Sequence, residues 1–359
     1  MERPDHDCLR VALLCGGTSA EREVSLASGA RVDEALRAAG HRVTRIDPAE
    51  TAVESIDWRA YDLCFLSLHG GAGEDGRLQQ RLDRLGVVYT GSGAAPSQRA
   101  MHKSLAKACF HRQGVPTPAF FVFDARWGVI GSPAAGREAR ASGGRPQFPA
   151  AAPKGWPQGP GTQRHVHPNQ PHLVAAAERL GYPLIVKPDG QGSSLAVSVA
   201  EDAGGLGRAV EAALRYGPTV LIERFVAGRE FTVSLLDRRP LPLLEVVAPG
   251  AVFDYEAKYG AAGTQYHFDP PLPPILAHRL PYVAVAAAEV LETAGLVRVD
   301  LRLDHRGAAW VLEVNTLPGM TANSLAPMAA ARAGMNLAEL CGWMLREALG
   351  RTARRRLAA

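Results

Sequence analysis

The chain of 359 residues carries a net charge of +4 and five cysteines, and it is long enough for two or three units with hydrophobic cores of their own. The small charge, without a basic stretch interleaved with aromatic residues, excludes a nucleic-acid-binding protein, and the lack of a long apolar run excludes a membrane protein. Five cysteines without a CxxC pair argue against a disulfide framework or a zinc site and predict a cytoplasmic protein with reduced thiols.

Residues 1–95 have the pattern of a parallel α/β unit. Apolar runs at Leu9 to Cys15, His41 to Ile46 and Asp62 to Leu68 predict three strands, and a helix closed by Gly40 follows the first of them. The loops GGTSAEREVS and HGGAGEDG come after the first and the third strand, where open parallel sheets bind their ligands. Taken alone, the glycine turn is equally consistent with ordinary turn chemistry, and His69 with a buried, hydrogen-bonded imidazole.

Residues 96–222 predict a small second unit. A helix from Pro96 to Gln113 is followed further along the chain by a strand at Leu184 to Pro188, the loop DGQGSS and a strand at Ala196 to Val199. The backbone N–H groups of such a loop and the ammonium group of Lys187 can bind phosphate oxygens. Residues 125–171 are rich in Gly, Pro, Ala and Arg and lack hydrophobic periodicity, so we expect a flexible surface insertion there.

Residues 223–359 predict a third unit, of the α+β class. The strand Val220 to Val226 leads into it, and further strands surround Glu230 and Glu245. The sequence DYEAKYGAAG has the glycine-bounded pattern of a mobile active-site loop. Leu276 to Ala294 and Leu337 to Leu349 predict packing helices, and the basic residues 351–356 predict a frayed end.

A β-hairpin is predicted in residues 296–315, because apolar and polar residues alternate on both sides of the turn sequence DHRG. In the second strand, this alternation places Trp310, Leu312 and Val314 on the face opposite Val311. If the strands pair in register, the polar face presents an arginine and three oxygen ligands: Arg298, Asp300, Glu313 and Asn315. Such ligands suit Mg²⁺ with nucleotide phosphates, although a solvated, charged sheet face would have the same pattern.

Several strings together resemble the D-alanine–D-alanine ligases of the ATP-grasp superfamily. They are GGTSAEREVSLASG, HGGAGEDG, DYEAKY and EVNTLPG, and they span most of the chain except residues 125–171. The resemblance implies an N-terminal parallel-sheet, Rossmann-like domain (1–95), a central ATP-grasp lid (96–222) and a C-terminal antiparallel-sheet domain (223–359). It also implies ATP-dependent ligation of two D-alanine molecules through an acyl phosphate, by a homodimer.

The resemblance assigns the substrate and nucleotide contacts residue by residue. Glu21 would hold the ammonium group of the first D-alanine, with His69 near its carboxylate. The start of a helix at Ser324 and Leu325 would bind the carboxylate of the second D-alanine, because helix N-termini attract anions. The phosphates of ATP would meet three lysines, and its adenine and ribose would meet a segment around the hinge: Lys103, Lys187, Lys258, Glu223, the backbone of Val226, and Glu230.

The resemblance also assigns the chemistry. Asp300, Glu313 and Asn315 would hold two Mg²⁺ or Mn²⁺ ions. Arg298 and the N–H of Gly319 would stabilise the oxyanion of the second step. A hydrogen bond between Ser193 and Tyr259 would close the mobile loop over the site, and these two residues with Glu21 form the network of the enzymes that make a peptide.

Two alternatives remain at this stage, a nucleotide-binding protein without catalysis and another ATP-grasp ligase or carboxylase. The first should have lost a metal ligand or Arg298, and the second would not need the strings GGTSAEREVSL and DYEAKY. Three residues depart from the family pattern. Gln80 stands where relatives usually have a small residue, Arg302 where they usually have an apolar residue near the adenine, and Ala196 where they often have glycine.

Overall fold

A computed structural model of the protein describes residues 8–131, 171–192, 196–250 and 263–358, with side chains up to Arg354. Ser193, Lys258 and Tyr259 lie outside these residues, as does most of the predicted insertion. Within the described segments, no helix is both long and apolar enough to cross a membrane.

The first sheet, here the N-terminal sheet, is parallel and has the strand order β2-β1-β3. Its helix α1 begins at Arg22, within the string GGTSAEREVS, and the second helix follows the loop HGGAGEDG. Alternate residues of β1 pack on opposite sides of the sheet, as in a strand covered on both faces. The elements are β1 (Arg10–Leu14), α1 (Arg22–Ala38), β2 (Arg42–Ile46), β3 (Leu63–Leu66) and α2 (Arg77–Arg84).

The second sheet, here the lid sheet, is antiparallel with the order β5-β4-β8-β6-β7. Two helices pack on one of its faces and enclose a core of apolar side chains. The strands are β4 (Phe120–Asp124), β5 (Gly128–Val129), β6 (Leu184–Pro188), β7 (Ser198–Ala200) and β8 (Thr219–Arg224), and the helices are α5 (Pro171–Leu180) and α6 (Ala203–Leu214).

The third sheet, here the base sheet, is antiparallel with the order β12-β11-β9-β13-β14, and a short strand, β10, pairs with β9. The strands are β9 (Gly228–Leu236), β10 (Arg239–Pro240), β11 (Leu244–Val247), β12 (Gln265–Phe268), β13 (Leu296–Asp304) and β14 (Ala309–Asn315). The helices α3 (Ala94–Met101), α4 (Lys103–Gln113) and α7 (Pro274–Val290) share one hydrophobic core with this sheet, so α3 and α4 pack with the third unit although they precede the lid sheet in the chain.

The single helix predicted from Pro96 to Gln113 is wrong, because the structure divides it at His102. The carboxylate of Asp189, which follows β6, accepts hydrogen bonds from the backbone N–H of Ser104 (2.7 Å) and from its hydroxyl (2.8 Å). The capping residue Asp189 is 85 positions away from Ser104 in the sequence. It starts a new helix and places Lys103 at the first turn, beside the loop after β6.

Two segments are more regular than their composition suggested. Residues 125–131 of the predicted insertion form a turn and strand β5, and Arg126 makes an ion pair of 2.7 Å with the buried Asp124. The predicted frayed end is helical, because the last helix continues to Ala358 and Arg351 donates a hydrogen bond to the carbonyl oxygen of Tyr89.

The two C-terminal helices, α8 (Leu325–Arg332) and α9 (Leu337–Ala358), return to the N-terminal sheet. Leu340 and Met344 of α9 lie in the same core as Leu13 of β1 and Phe65 of β3. The first and last parts of the chain therefore share one hydrophobic core. Together, the parallel and antiparallel sheets confirm the predicted α/β and α+β fold class.

Candidate active site

Two cavities meet between the sheets, and Lys103 and Glu313 line both of them. The first, here the substrate cavity, has a volume of ≈ 570 Å³ and lies among the loops of the N-terminal sheet, β14 and the start of α8. The second, here the nucleotide cavity, lies between strands β6 and β8 of the lid sheet and strands β13 and β14 of the base sheet. A group bound in one cavity can therefore reach a group bound in the other at Lys103 and Glu313.

The hairpin of β13 and β14 pairs in the predicted register where the polar residues stand. Arg298 is opposite Asn315 and Asp300 is opposite Glu313, so all four share one face. A β-bulge follows Asp300, and Leu312 is the extra residue. The bulge turns Leu312 into the nucleotide cavity and Val311 into the core, which corrects the alternation predicted for β14.

Arg298 and Asp300 form a bidentate pair, with Nε and Nη2 of the arginine each 2.9 Å from a carboxylate oxygen. Thr232 of β9 donates a further hydrogen bond of 2.8 Å to Asp300. The predicted metal ligand is thus fixed in position on the sheet, and its charge is balanced by the residue predicted to stabilise the oxyanion.

Lys103 projects from the start of α4 to the junction of the cavities. Its ammonium group donates a hydrogen bond of 2.7 Å to the carbonyl oxygen of Gln191 and lies 3.3 Å from Glu313. The lysine therefore connects the loop after β6 to the polar face of the hairpin, where the phosphates of a nucleotide would have to lie.

Glu21 is buried at the wall of the substrate cavity, where two glycines approach it closely. A Cβ atom on Gly70 or Gly192 would come within 2.5 or 2.7 Å of its Oε2 atom, so a side chain at either position would displace the carboxylate. Gly70 also has a φ of +66°, a left-handed conformation that favours glycine. Glu74, which the sequence analysis did not single out, lines the same cavity. Burial and the neighbouring charge of Glu21 raise the pKa of Glu74 to about 8.

His69 is buried at the same wall, and both of its ring nitrogens have partners. Nδ1 donates to the carbonyl oxygen of Leu317 (3.1 Å), and Nε2 accepts from the hydroxyl of Ser28 (3.0 Å). Burial, together with the charge of Arg298, lowers the pKa of His69 to about 4, so the imidazole is neutral at pH 7. His69 lines the cavity in which a substrate contact was predicted. Its ring is also buried with both nitrogens hydrogen-bonded, as in a histidine with a purely structural role.

The loop after β14 brings Gly319, Ser324 and Leu325 to the other side of the substrate cavity. The hydroxyl of Ser324 accepts a hydrogen bond of 3.0 Å from the N–H of Thr321. A Cβ atom on Gly319 would lie 2.7 Å from this hydroxyl, so the close approach requires glycine. Ser324 directly precedes α8, whose N-terminus favours a carboxylate.

The nucleotide cavity contains a buried carboxylate between two lysines. Glu223 lies 2.5 Å from the ammonium group of Lys187 and 2.7 Å from that of Lys107. Burial alone would raise the pKa of Glu223, but the two lysines outweigh it and hold the pKa below its usual range. Lys107 was not predicted as a site residue, although its spacing of four from Lys103 on one helix indicates that both side chains lie on the same face.

The residues predicted for adenine and ribose line the same cavity. The carboxylate of Glu230 accepts two hydrogen bonds from Arg302, at 2.8 and 3.1 Å, and Val226 lies on the segment that joins β8 to β9. Arg302 therefore points into the site and not away from it.

Every predicted site residue that the structure describes lines one of the two cavities. Ser193, Lys258 and Tyr259 lie outside the described residues. For the metal, Asp300, Glu313 and Asn315 supply two carboxylates and an amide oxygen from one sheet face, a set of hard donors that fits Mg²⁺ or Mn²⁺.

Comparison with known proteins gives relatives of nearly full length. A D-alanine–D-alanine ligase of Gloeobacter violaceus is 40% identical over 333 residues, which are 92% of this chain and 97% of that protein. The D-alanine–D-alanine ligase of Bordetella pertussis is 38% identical over 343 residues, 94% of this chain and 95% of that one.

Solved structures agree with the sequence comparison. The crystal structure of the D-alanine–D-alanine ligase from Bacillus anthracis has a TM-score of 0.75 at 27% identity and covers 97% of this chain and 100% of that one. The same enzyme complexed with ATP has a TM-score of 0.73 at 26% identity, over 97% and 99% of the two chains. A family model described as the D-ala D-ala ligase C-terminus matches residues 161–346, more than half of the sequence. With its two joined cavities, the chain thus belongs to the D-alanine–D-alanine ligase family.

Proposed function

We propose that the protein joins two D-alanine molecules into D-alanyl-D-alanine, converts ATP to ADP and phosphate, and so supplies a precursor of peptidoglycan. The observation that carries this proposal is the junction of a substrate cavity with a nucleotide cavity at Lys103 and Glu313, in a chain of the ligase family. The cavity of ≈ 570 Å³ is in the range of small-molecule sites and leaves room for two amino acids.

The reaction has two steps. A carboxylate oxygen of the first D-alanine attacks the γ-phosphorus of ATP, the bond to the β-phosphate oxygen breaks, and an acyl phosphate and ADP form. The amine of the second D-alanine then attacks the acyl carbon, gives up a proton, and phosphate leaves. Glu21 and His69 position the first substrate, and Ser324 and Leu325 the carboxylate of the second.

The charges of the site fit these steps. Lys103, Lys187 and Lys258 offset the charge of the phosphates, while Arg298 and the N–H of Gly319 stabilise the oxyanion of the second step. Loss of one such donor typically costs about 3 kcal/mol of activation free energy. Glu223, Val226 and Glu230 hold the adenosine.

A divalent metal completes this proposal. Asp300, Glu313 and Asn315 would hold two Mg²⁺ or Mn²⁺ ions, and the shared face of these oxygen donors supports the assignment. When bound, such ions neutralise charge on the transferring phosphate.

The test measures phosphate release with ATP, Mg²⁺ and D-alanine, with L-alanine as the control. We expect phosphate release with D-alanine but not with L-alanine, and equal rates with the two amino acids would refute the proposal. Mass spectrometry after incubation with equal D-alanine and D-lactate at pH 7 should give mainly the peptide, as the resemblance at Glu21, Ser193 and Tyr259 implies. The homodimer stays a prediction from resemblance, which light scattering tests. The cytoplasmic location also stays a prediction, and the five free thiols support it.

A further inference from the structure

Arg302 is a buried cation inside the nucleotide cavity. It follows Asp300 by two positions on β13, so it projects from the same face as the predicted metal ligand. Only 9% of the residue is exposed, and it contributes to the cavity wall opposite Ile185 and Lys187 of the lid sheet. Its surroundings must therefore compensate its charge.

The contacts of Arg302 include residues of the connection 225–227, which joins the lid sheet to the base sheet, and the first residues of β9. Nε and Nη2 donate to Oε2 of Glu230 at 3.1 and 2.8 Å. Nη1 donates to the carbonyl oxygens of Val226 and Gly228 at 3.4 and 3.5 Å. The guanidinium carbon lies 5.6 Å from the ring centroid of Phe225. One side chain of β13 thus contacts two residues of the connection, Phe225 and Val226, and two residues at the start of β9, Gly228 and Glu230.

The planar guanidinium suits this arrangement better than any other side chain. Its N–H groups point in fixed directions, so it can donate to a carboxylate and two carbonyl oxygens at once. An ammonium group acts instead as a single point of charge. Removal of one partner from a buried pair of this kind is also strongly destabilising. Removing Arg302 would therefore disturb both the orientation of Glu230 and the path of the backbone at Val226.

We infer that Arg302 is a positioning residue of the nucleotide site, which holds the Glu230 carboxylate and the Val226 carbonyl in the places where the adenosine is bound. This inference rests on the proposed function, since it takes the nucleotide cavity as the site of ATP. Arg302 then replaces the apolar wall of related enzymes by an ion pair that organises the ribose and hinge contacts before the nucleotide arrives.

The opposite reading is that Arg302 obstructs the cavity and must move away when a nucleotide enters. The two readings predict opposite changes in the affinity for a nucleotide when Arg302 is replaced. If Arg302 positions Glu230, replacing it by an apolar side chain of similar length weakens nucleotide binding. If it obstructs the cavity, the same replacement strengthens binding.

The experiment titrates ADP with Mg²⁺ into the full-length protein by calorimetry. Arg302→Met should raise the Kd about tenfold, the equivalent of 1.4 kcal/mol. The Kd of Arg302→Lys should lie between those of the wild type and Arg302→Met, because lysine keeps the positive charge but lacks the planar set of guanidinium donors. Arg306→Met is the matched control, because Arg306 is an exposed residue of the same hairpin and its loss changes the net charge equally. It should bind ADP as the wild type does.

A second measurement separates positioning from a general loss of structure. The wild type should prefer ADP over 2′-deoxy-ADP and 3′-deoxy-ADP, and Arg302→Met should lose most of this preference. In the same variant the KM for ATP should rise more than the KM for D-alanine. In a Glu230→Gln background, Arg302→Met should have little further effect on the preference, as expected for residues that act together.

The outcomes separate the inference from the function on which it rests. If the wild type does not bind ADP, the proposed function fails at its nucleotide site. If the wild type binds ADP but Arg302→Met binds it equally well or more tightly, the positioning role is wrong and the ligase function stands.

Discussion

The ammonium group of Lys103 lies 3.3 Å from a carboxylate oxygen of Glu313, at the junction of the two cavities. Glu313 shares a sheet face with Asp300, and Lys103 is held by the loop after β6. A helix, a loop and a strand from distant parts of the sequence therefore converge at the point where phosphate would be transferred.

Glu313→Gln should abolish ligation and leave the fold intact, because the variant loses the charge of a proposed metal ligand at a partly exposed position. Loss of residues that merely support a ligand costs 10- to 100-fold, so we expect a decrease in kcat of at least about 100-fold. Phosphate release at ordinary Mg²⁺ measures the activity, and circular dichroism checks the fold. Glu211→Gln on the exposed surface of α6 is the control. Wild-type turnover by Glu313→Gln would show that this hairpin does not hold the metal.

Lys107→Met should destabilise the protein by about 3 kcal/mol, because it removes one of the two cations that balance the buried Glu223. The side chain of Lys107 is buried and also donates a hydrogen bond of 2.6 Å to Thr117. Urea unfolding measures the effect. Arg112→Met, at an exposed position of the same helix, should change the free energy of unfolding by less than about 0.5 kcal/mol. Equal stability of the two variants would contradict a structural role for the ion pair.

Glu74→Gln should change how stability depends on pH. The pKa of Glu74 is raised from 4.5 to about 8 in the folded protein, so the folded state keeps a proton that the unfolded state releases. The stability that this proton contributes is fully present below pH 4.5 and is lost as the pH rises to about 8. A glutamine cannot titrate, and the variant should therefore gain stability relative to the wild type over this range. Parallel urea-unfolding profiles from pH 5 to pH 8 would contradict the shift.

Ala196→Gly should stabilise the protein by about 0.5 kcal/mol. Ala196 has a φ of +51°, a left-handed conformation that costs residues with a Cβ atom about 1 kcal/mol. Glycine removes this cost, although it increases the entropy of the unfolded chain. Ala212→Gly in helix α6 is the matched control and should destabilise by about 1 kcal/mol. A loss of stability in both variants would mean that residue 196 is not strained.

The sequence predicted those parts of the site that depend on local periodicity. The alternation in residues 296–303 placed Arg298 and Asp300 on one face, and pairing in register added Glu313 and Asn315. The bulge at Leu312 was not predictable, because it depends on how two strands match and not on the pattern of either. The division of the helix at His102 was hidden for a similar reason, since Asp189, which caps the new helix, is distant in sequence. The direction of Arg302 depended on Glu230, a partner 72 positions away.

The packing of α9 against the N-terminal sheet has a consequence for synthesis of the chain. Leu340 and Met344, which share a core with Leu13 and Phe65, are made long after them, because they lie far along the chain. We expect the first unit to remain incomplete during translation, unlike domains that fold as soon as they emerge. Ribosome-stalled chains that end before residue 337 should be cleaved by protease within residues 8–95, and completed chains should resist. The order of synthesis would then delay the substrate cavity, whose wall includes loops of the N-terminal sheet, until α9 has been made.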